Sequence, residues 1–167
     1  MSNISFEDRV VIVTGAGNGL GKAYALELGN RGAKVVVNDL GGSVDGSGSA
    51  SSPADEVANE IIENGGEAVA NYDSVATKEG GESIVQSAID NFGTVDAVIN
   101  NAGILRDKSF ANMSEEELSL IIDVHLKGTF FVSQPAFKVM KEKNYGRIVN
   151  VASPSGLFGN FGQSNYG

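Results

Sequence analysis

Short apolar runs alternate with longer stretches of helical periodicity from one end of the chain to the other. Val10-Val11-Ile12-Val13, Val35-Val36-Val37 and Ala97-Val98-Ile99 are apolar at consecutive positions, as a strand covered by helices on both faces must be. The pattern predicts strands at about 10–14, 34–38, 67–71, 95–99 and 147–152, separated by helices at about 19–31, 53–64, 77–91 and 114–142. Such alternation builds a parallel sheet wound on both sides, an α/β architecture. In the last helix Leu118, Ile121, Ile122, His125 and Leu126 keep helical spacing, while Gly128 and Pro135 are expected to weaken or kink it. Ser114 followed by Glu117 reads as a capping box at its start. The small, polar segment 41–52 reads as a surface loop or as one that orders over a ligand, and Pro53 suits the first residue of the helix that follows.

Composition narrows the classes of function. A chain of 167 residues is long enough for one domain with a real core and too short for two ordinary ones. No apolar run approaches the roughly 18 residues of a membrane span, and the N-terminus lacks a basic region followed by an apolar stretch. The absence of cysteine excludes disulfides and thiolate metal sites and fits a reducing intracellular compartment, and no metal site is expected. A net charge of −9 disfavours nucleic acid, whose phosphates call for a basic face.

The densest chemistry lies where the first strand runs into Gly15-Ala16-Gly17-Asn18-Gly19-Leu20-Gly21. A glycine-rich turn between strand and helix lets a diphosphate approach the backbone, and the free N–H groups of the first helical turn supply partial positive charge. Gly15, Asn18, Gly19, Leu20 and Gly21 are therefore candidate cofactor-binding residues. Asp39 ends the second strand about 20 residues after the turn, where a carboxylate can accept both hydroxyls of an adenosine ribose. Its charge would repel a 2′-phosphate, and no Arg or Lys sits in the turn to offset this, so NAD rather than NADP is expected. Asp73 and Ser74 follow the third strand and Asn101 the fourth, on the same rim of the sheet. Asp73 is expected to accept from the adenine amino group and Asn101 to bond backbone groups across the rim, while Gly103 lets the chain pass close to the ribose.

Thr14-Gly15-x-x-x-Gly19-x-Gly21, Asp39, Asn100-Asn101-Ala102-Gly103, Ser153 and Tyr166 together resemble the short-chain dehydrogenase/reductase pattern over essentially the whole chain. The resemblance implies a Rossmann-like doubly wound sheet with strand order 3-2-1-4-5, in one NAD-binding domain over residues 1–167 that lacks the last strands of the complete family fold. It makes Tyr166 the base that takes the substrate hydroxyl proton, and Ser153 the residue that holds the same oxygen. A phenol has a reference pKa of about 10, so the role needs a neighbouring cation and the positive nicotinamide to favour phenolate. Within the family, the stretches 38–42, 103–107, 123–126 and 156–163 are similar to the (3R)-hydroxyacyl-CoA dehydrogenase region of type 2 multifunctional beta-oxidation enzymes. This implies reversible hydride transfer between NAD and C3 of an acyl-CoA-type substrate, in a peroxisome or a bacterial cytoplasm. Reduction of 3-oxoacyl groups on acyl carrier protein, and a non-catalytic NAD-binding fragment, are the alternatives.

The chain departs from the family pattern in two places. The family carries a Lys four residues after its Tyr, beyond Gly167, so a C-terminally incomplete fragment with little or no activity of its own is expected. The fifth strand is then expected to offer unpaired backbone and apolar side chains at an edge. A homodimer, which the resemblance implies for a complete protein through the long helix and the helix beginning near Tyr166, becomes uncertain for this chain. His125 stands where many members have Asn in a proton relay; a supporting, structural role is favoured over catalysis, because it falls on the apolar face of its helix.

Overall fold

The computed structural model describes residues 4–42 and 52–167; most of the 41–52 loop reading lies outside them. Five strands, β1 (Val10–Thr14), β2 (Lys34–Asn38), β3 (Glu67–Asn71), β4 (Ala97–Asn100) and β5 (Arg147–Asn150), form one parallel sheet in the order β3-β2-β1-β4-β5. The expected doubly wound α/β fold and its strand order are both present. Helices α1 (Gly19–Asn30), α2 (Ser52–Glu63), α3 (Lys78–Phe92), α4 (Glu115–Ile121), α5 (Gly128–Glu142) and the short α6 (Pro154–Phe158) complete it.

Side chains alternate across the pleat, and here both faces of the sheet are greasy. Val10, Ile12 and Val36 point into one core with Ile84 and Val85 of α3 and Val132, Ala136 and Met140 of α5. Val11, Val13, Val35 and Val37 point the other way, against Ala25 of α1 and Val57, Ala58 and Ile61 of α2. The consecutive valines thus supply two cores rather than one. β5 forms an edge, with all four of its residues exposed and Ile148 and Val149 among the exposed apolar side chains.

Three boundaries differ from the pattern-based reading. β4 begins at Ala97 rather than near 95, and β5 stops at Asn150 rather than 152. The long helix is not uniform: after the Ser114/Glu117 capping box, α4 gives way to a π-helical stretch, Ile122–Lys127, before α5 resumes at Gly128. The irregularity therefore sits just before Gly128, while Pro135 remains inside α5. A short 3₁₀ turn, Phe110–Asn112, and α6 were not anticipated, both being too short to show a period.

At the end of the sheet where the strands begin, Asp96 ties three of them together. Its carboxylate accepts from the Val10 amide at 2.9 Å and from Lys143 Nζ at 2.6 Å, with Arg9 at 3.4 Å, while its backbone bonds Val10 and Arg147. Burial pushes this carboxyl up, but the hydrogen bonds from Lys143 and Val10 and the charges of Lys143 and Arg9 outweigh it and hold the group below the ordinary carboxylate value.

Candidate functional site

The chain leaves β1 toward β2 on one side and reaches β4 on the other, so a crevice opens between β1 and β4 at the carboxyl ends of the strands. A cleft of about 370 Å³ occupies it, lined among others by Gly15, Asn18, Gly19, Asp39, Asp73, Ser74 and Asn101. Leu20, Gly21, Ser153 and Tyr166 do not line it. Leu20 points its side chain outward at the first turn of α1, and Gly21 lies beneath the turn. A Cβ at Gly21 would overlap the Gly15 carbonyl oxygen and crowd Asn101 Nδ2, so only glycine lets α1 start this close to the loop.

The floor of the crevice is sewn by side chains. Asn101 Nδ2 donates to the carbonyls of Thr14 and Gly15, both at 3.0 Å, and the amides of Asn101 and Ala102 donate to Thr14 Oγ1, both at 3.1 Å. One strand away, Asn100 Nδ2 donates to Asn150 Oδ1 at 2.8 Å and Ser133 Oγ at 2.9 Å. The Asp39 carboxylate accepts from the Gly17 amide at 2.8 Å through one oxygen and from the Gly41 amide at 2.7 Å through the other. Both bonds come from backbone, so the carboxylate is held in one orientation at the cleft. Ser74 Oγ accepts from the Ala76 amide at 3.2 Å. Tyr72, at the same rim, donates to Asp55 at 2.5 Å; this bond, partial burial and the Asp55 charge hold its phenol above the usual value.

Ser153 and Tyr166 belong to a separate cluster. Ser153 caps α6, its Oγ accepting from the Ser155 amide at 3.2 Å, so it lies at a helix start rather than in an open loop. The turn carrying Tyr166 is bonded back to α6 by Ser155 Oγ and Gln163 Oε1 at 2.7 Å. It is also bonded to the loop after β4: Lys108 N donates to the Gly162 carbonyl at 2.7 Å, Gln163 to Asp107 at 2.9 Å, and Asn165 to the Arg106 carbonyl at 3.0 Å.

His125 lies on the π-helical stretch and meets the Tyr166 ring edge-on, with centroids 5.1 Å apart and planes at 77°. Its Nε2 sits 3.1 Å from the Ile104 amide nitrogen and 2.9 Å from the Ile104 carbonyl oxygen, so it accepts from one or donates to the other according to which ring nitrogen holds the proton. The His125 carbonyl accepts from Thr129 Oγ1 at 2.7 Å. The single histidine thus links the loop after β4 to the Tyr166 ring. Sequence spacing carried no sign of this contact, because it joins segments brought together only by the sheet.

Among the described residues no helix is long and apolar enough to cross a membrane, and no group of three or more His, Cys, Asp or Glu is placed to hold a metal ion. In comparisons with known proteins, the chain is 60% identical over 164 residues to the peroxisomal hydratase-dehydrogenase-epimerase of Saccharomyces cerevisiae, which covers 98% of this chain but only 18% of that protein. The crystal structure of a short chain dehydrogenase from Mycobacterium avium superposes with a TM-score of 0.86 at 45% identity, covering 96% of this chain and 57% of that one. A 7 alpha-hydroxysteroid dehydrogenase complexed with NADH and 7-oxo glycochenodeoxycholic acid superposes with a TM-score of 0.89 at 27% identity, covering 98% of this chain and 60% of its own. The family model described as short chain dehydrogenase matches residues 9–167. The chain belongs to the short-chain dehydrogenase family, and spans only a small part of the length of the curated relative it matches.

Proposed function

We propose that the chain forms the cofactor-binding and proton-transfer part of an NAD-dependent dehydrogenase interconverting (3R)-3-hydroxyacyl-CoA and 3-oxoacyl-CoA. The observation that carries the cofactor half is Asp39, a carboxylate at the end of β2, pinned by two backbone amides and lining the cleft. A 2′-phosphate at about 4 Å would be repelled by about 4 kcal/mol per unit charge at an effective dielectric of about 20, whereas ribose hydroxyls would be bound. The first-turn amides of Gly19, Leu20 and Gly21 are available to a diphosphate, and Asp73 and Ser74 stand at the adenine end. The residues present therefore fit the dinucleotide, which when bound supplies the hydride acceptor.

Tyr166 takes the hydroxyl proton and Ser153 hydrogen-bonds the same oxygen, fixing it for hydride departure. His125 steadies the Tyr166 ring from its edge. The acyl-CoA class is supported by the similarity to the yeast enzyme, whose name joins a hydratase to a dehydrogenase, and the same name supports a peroxisomal setting, with bacterial cytoplasm the alternative. A homodimer is proposed for the full-length protein.

Calorimetric titration with NADH and NADPH, followed by NADH absorbance with a (3R)-3-hydroxyacyl-CoA in the full-length protein, tests the reading. Tight NADH uptake and oxidation of the thioester are expected. Equal or tighter NADPH binding would overturn the role of Asp39, and turnover with carrier-protein thioesters alone would overturn the substrate class.

A further inference from the structure

Asparagine is followed directly by glycine at two places in the chain, Asn18-Gly19 and Asn64-Gly65. In this dipeptide the backbone nitrogen of the glycine can attack the side-chain carbonyl carbon of the asparagine, because no Cβ on the second residue blocks the approach. The two copies are held differently. Asn64-Gly65 follows α2 directly and both of its amides are engaged, Asn64 N donating to the Glu60 carbonyl at 3.2 Å and Gly65 N to the Ile62 carbonyl at 2.9 Å. Asn18-Gly19 opens α1, and both residues are exposed.

Asn18 occupies the N-cap position, where an asparagine oxygen ordinarily accepts from the helix, yet its side chain makes no capping bond. Among the described residues the Gly19 amide donates to no group, and a Cβ placed on Gly19 would meet nothing within 4 Å, so the space around this nitrogen is open. The Asn18 carbonyl accepts from Lys22 N at 3.1 Å, which restrains rotation there only by a terminal helix bond of the kind that frays at almost no cost.

We propose that Asn18-Gly19 is a site of spontaneous succinimide formation and deamidation, through which the empty protein loses its hold on the dinucleotide and from which a bound dinucleotide protects it. The Gly19 nitrogen gives up its proton to water and bonds to Asn18 Cγ; the Cγ–Nδ2 bond breaks, and Nδ2 takes up a proton and leaves as ammonia. Water then opens the five-membered imide at one carbonyl or the other, giving aspartate or, with the chain rerouted through Cβ and Cγ, isoaspartate. The imide has no N–H on Gly19, and isoaspartate carries one extra main-chain carbon, so the spacing of the Gly19, Leu20 and Gly21 amides is lost. Either acid also adds a negative charge beside the place of a diphosphate. A phosphate oxygen bonded to the Gly19 amide ties up the attacking nitrogen. The protective and functional halves rest on the reading of the cleft, which Asn18 and Gly19 line, as a dinucleotide site.

The test holds the full-length protein at body temperature and mildly alkaline pH with and without saturating NADH. Proteolytic peptides carrying Asn18 and Asn64 are followed by mass spectrometry after a separation that resolves isoaspartate, and NADH affinity is followed by calorimetry. In the empty protein Asn18 should convert faster than Asn64, chiefly to isoaspartate, and NADH should slow Asn18 several-fold while leaving Asn64 unchanged. The isoaspartate form should bind NADH roughly ten- to hundredfold more weakly, the worth of one hydrogen bond to a charged acceptor. Asn18→Gln, whose ring closure would need six members, should keep its own starting affinity through the same incubation. Asn18 converting no faster than Asn64, an Asn18 rate unmoved by NADH that binds, or an isoaspartate form of undiminished affinity would each overturn the inference while leaving the dinucleotide site standing. Fresh protein that takes up no NADH would overturn the reading of the cleft and the protection with it, the conversion of Asn18 being read separately in its peptide.

Discussion

Gly103→Ala is the substitution whose consequences the structure defines most closely. The backbone at Gly103 lies outside the left-handed region, so alanine is not strained there. Its Cβ would nevertheless lie 2.5 Å from His125 Cε1, with the two ring nitrogens at 3.3 and 3.4 Å. Carbon atoms pack at about 3.5–4.0 Å, so the imidazole must retreat by roughly 1 Å. It cannot do so freely, because Nε2 is held against the Ile104 backbone and the ring packs against Tyr166. Overpacking of this kind costs about 1–3 kcal/mol, and a broken Ile104 bond adds about 1 kcal/mol. Thermal or urea unfolding should show that loss. His125→Ala removes the ring that is struck, so the double variant should be more stable than the sum of the two single losses predicts, by at least about 1 kcal/mol. In the full-length enzyme, a shift of about 1 Å at Tyr166 should lower kcat about hundredfold. Strict additivity in the double-variant cycle would refute the collision, and an unchanged kcat in a destabilised Gly103→Ala enzyme would refute the link from His125 to Tyr166.

Three further outcomes follow from the same geometry. Asp39→Ser should reduce the preference for NADH over NADPH by about a thousandfold, the equivalent of about 4 kcal/mol, because it removes the charge facing a 2′-phosphate; competitive titration of both cofactors reads it. Tyr166→Phe should abolish hydride transfer in the full-length protein, with calorimetric NADH affinity unchanged, since the ring keeps its contact with His125 and loses only the proton acceptor. Asp96→Asn should cost about 1.5 kcal/mol at neutral pH, the low end for charged hydrogen bonds, because Lys143 and Arg9 remain partly hydrated. Since the folded carboxyl titrates below its unfolded value of about 3.9, the stabilisation is complete above that value and disappears as pH falls through the folded one. The gap between Asp96→Asn and the unmodified protein in urea melts should therefore close under strongly acidic conditions and be widest at neutral pH.

What could be read along the chain was what local chemistry controls. Val35-Val36-Val37 announced a strand buried on both faces, and Ser114 with Glu117 announced a helix start, because each signal lies within one element. The π-helical stretch 122–127 was not legible, since a slip of one residue in the backbone bonding leaves the apolar spacing of Leu118, Ile121, Ile122 and Leu126 almost intact. Residues around the cleft were identifiable from strand ends and glycine spacing. The bonds that aim them were not, because Asn38 meets Asn71 across 33 positions, and His125 meets Tyr166 only after the loops of β4 and β5 are laid side by side. The capping of α6 by Ser153 was not legible either, because that helix is too short to show a period.

Asparagines close β2, β3, β4 and β5, and two of the adjacent pairs, Asn38 with Asn71 and Asn100 with Asn150, are joined amide to amide, while Asn101 clamps β1 to the start of the loop after β4. A sheet laced in this way at its ligand-facing border is already stiff when empty. Little ordering entropy is then left to lose on docking, so much of the gross attraction for a dinucleotide survives as net affinity, and uptake proceeds without a costly rearrangement of the strands.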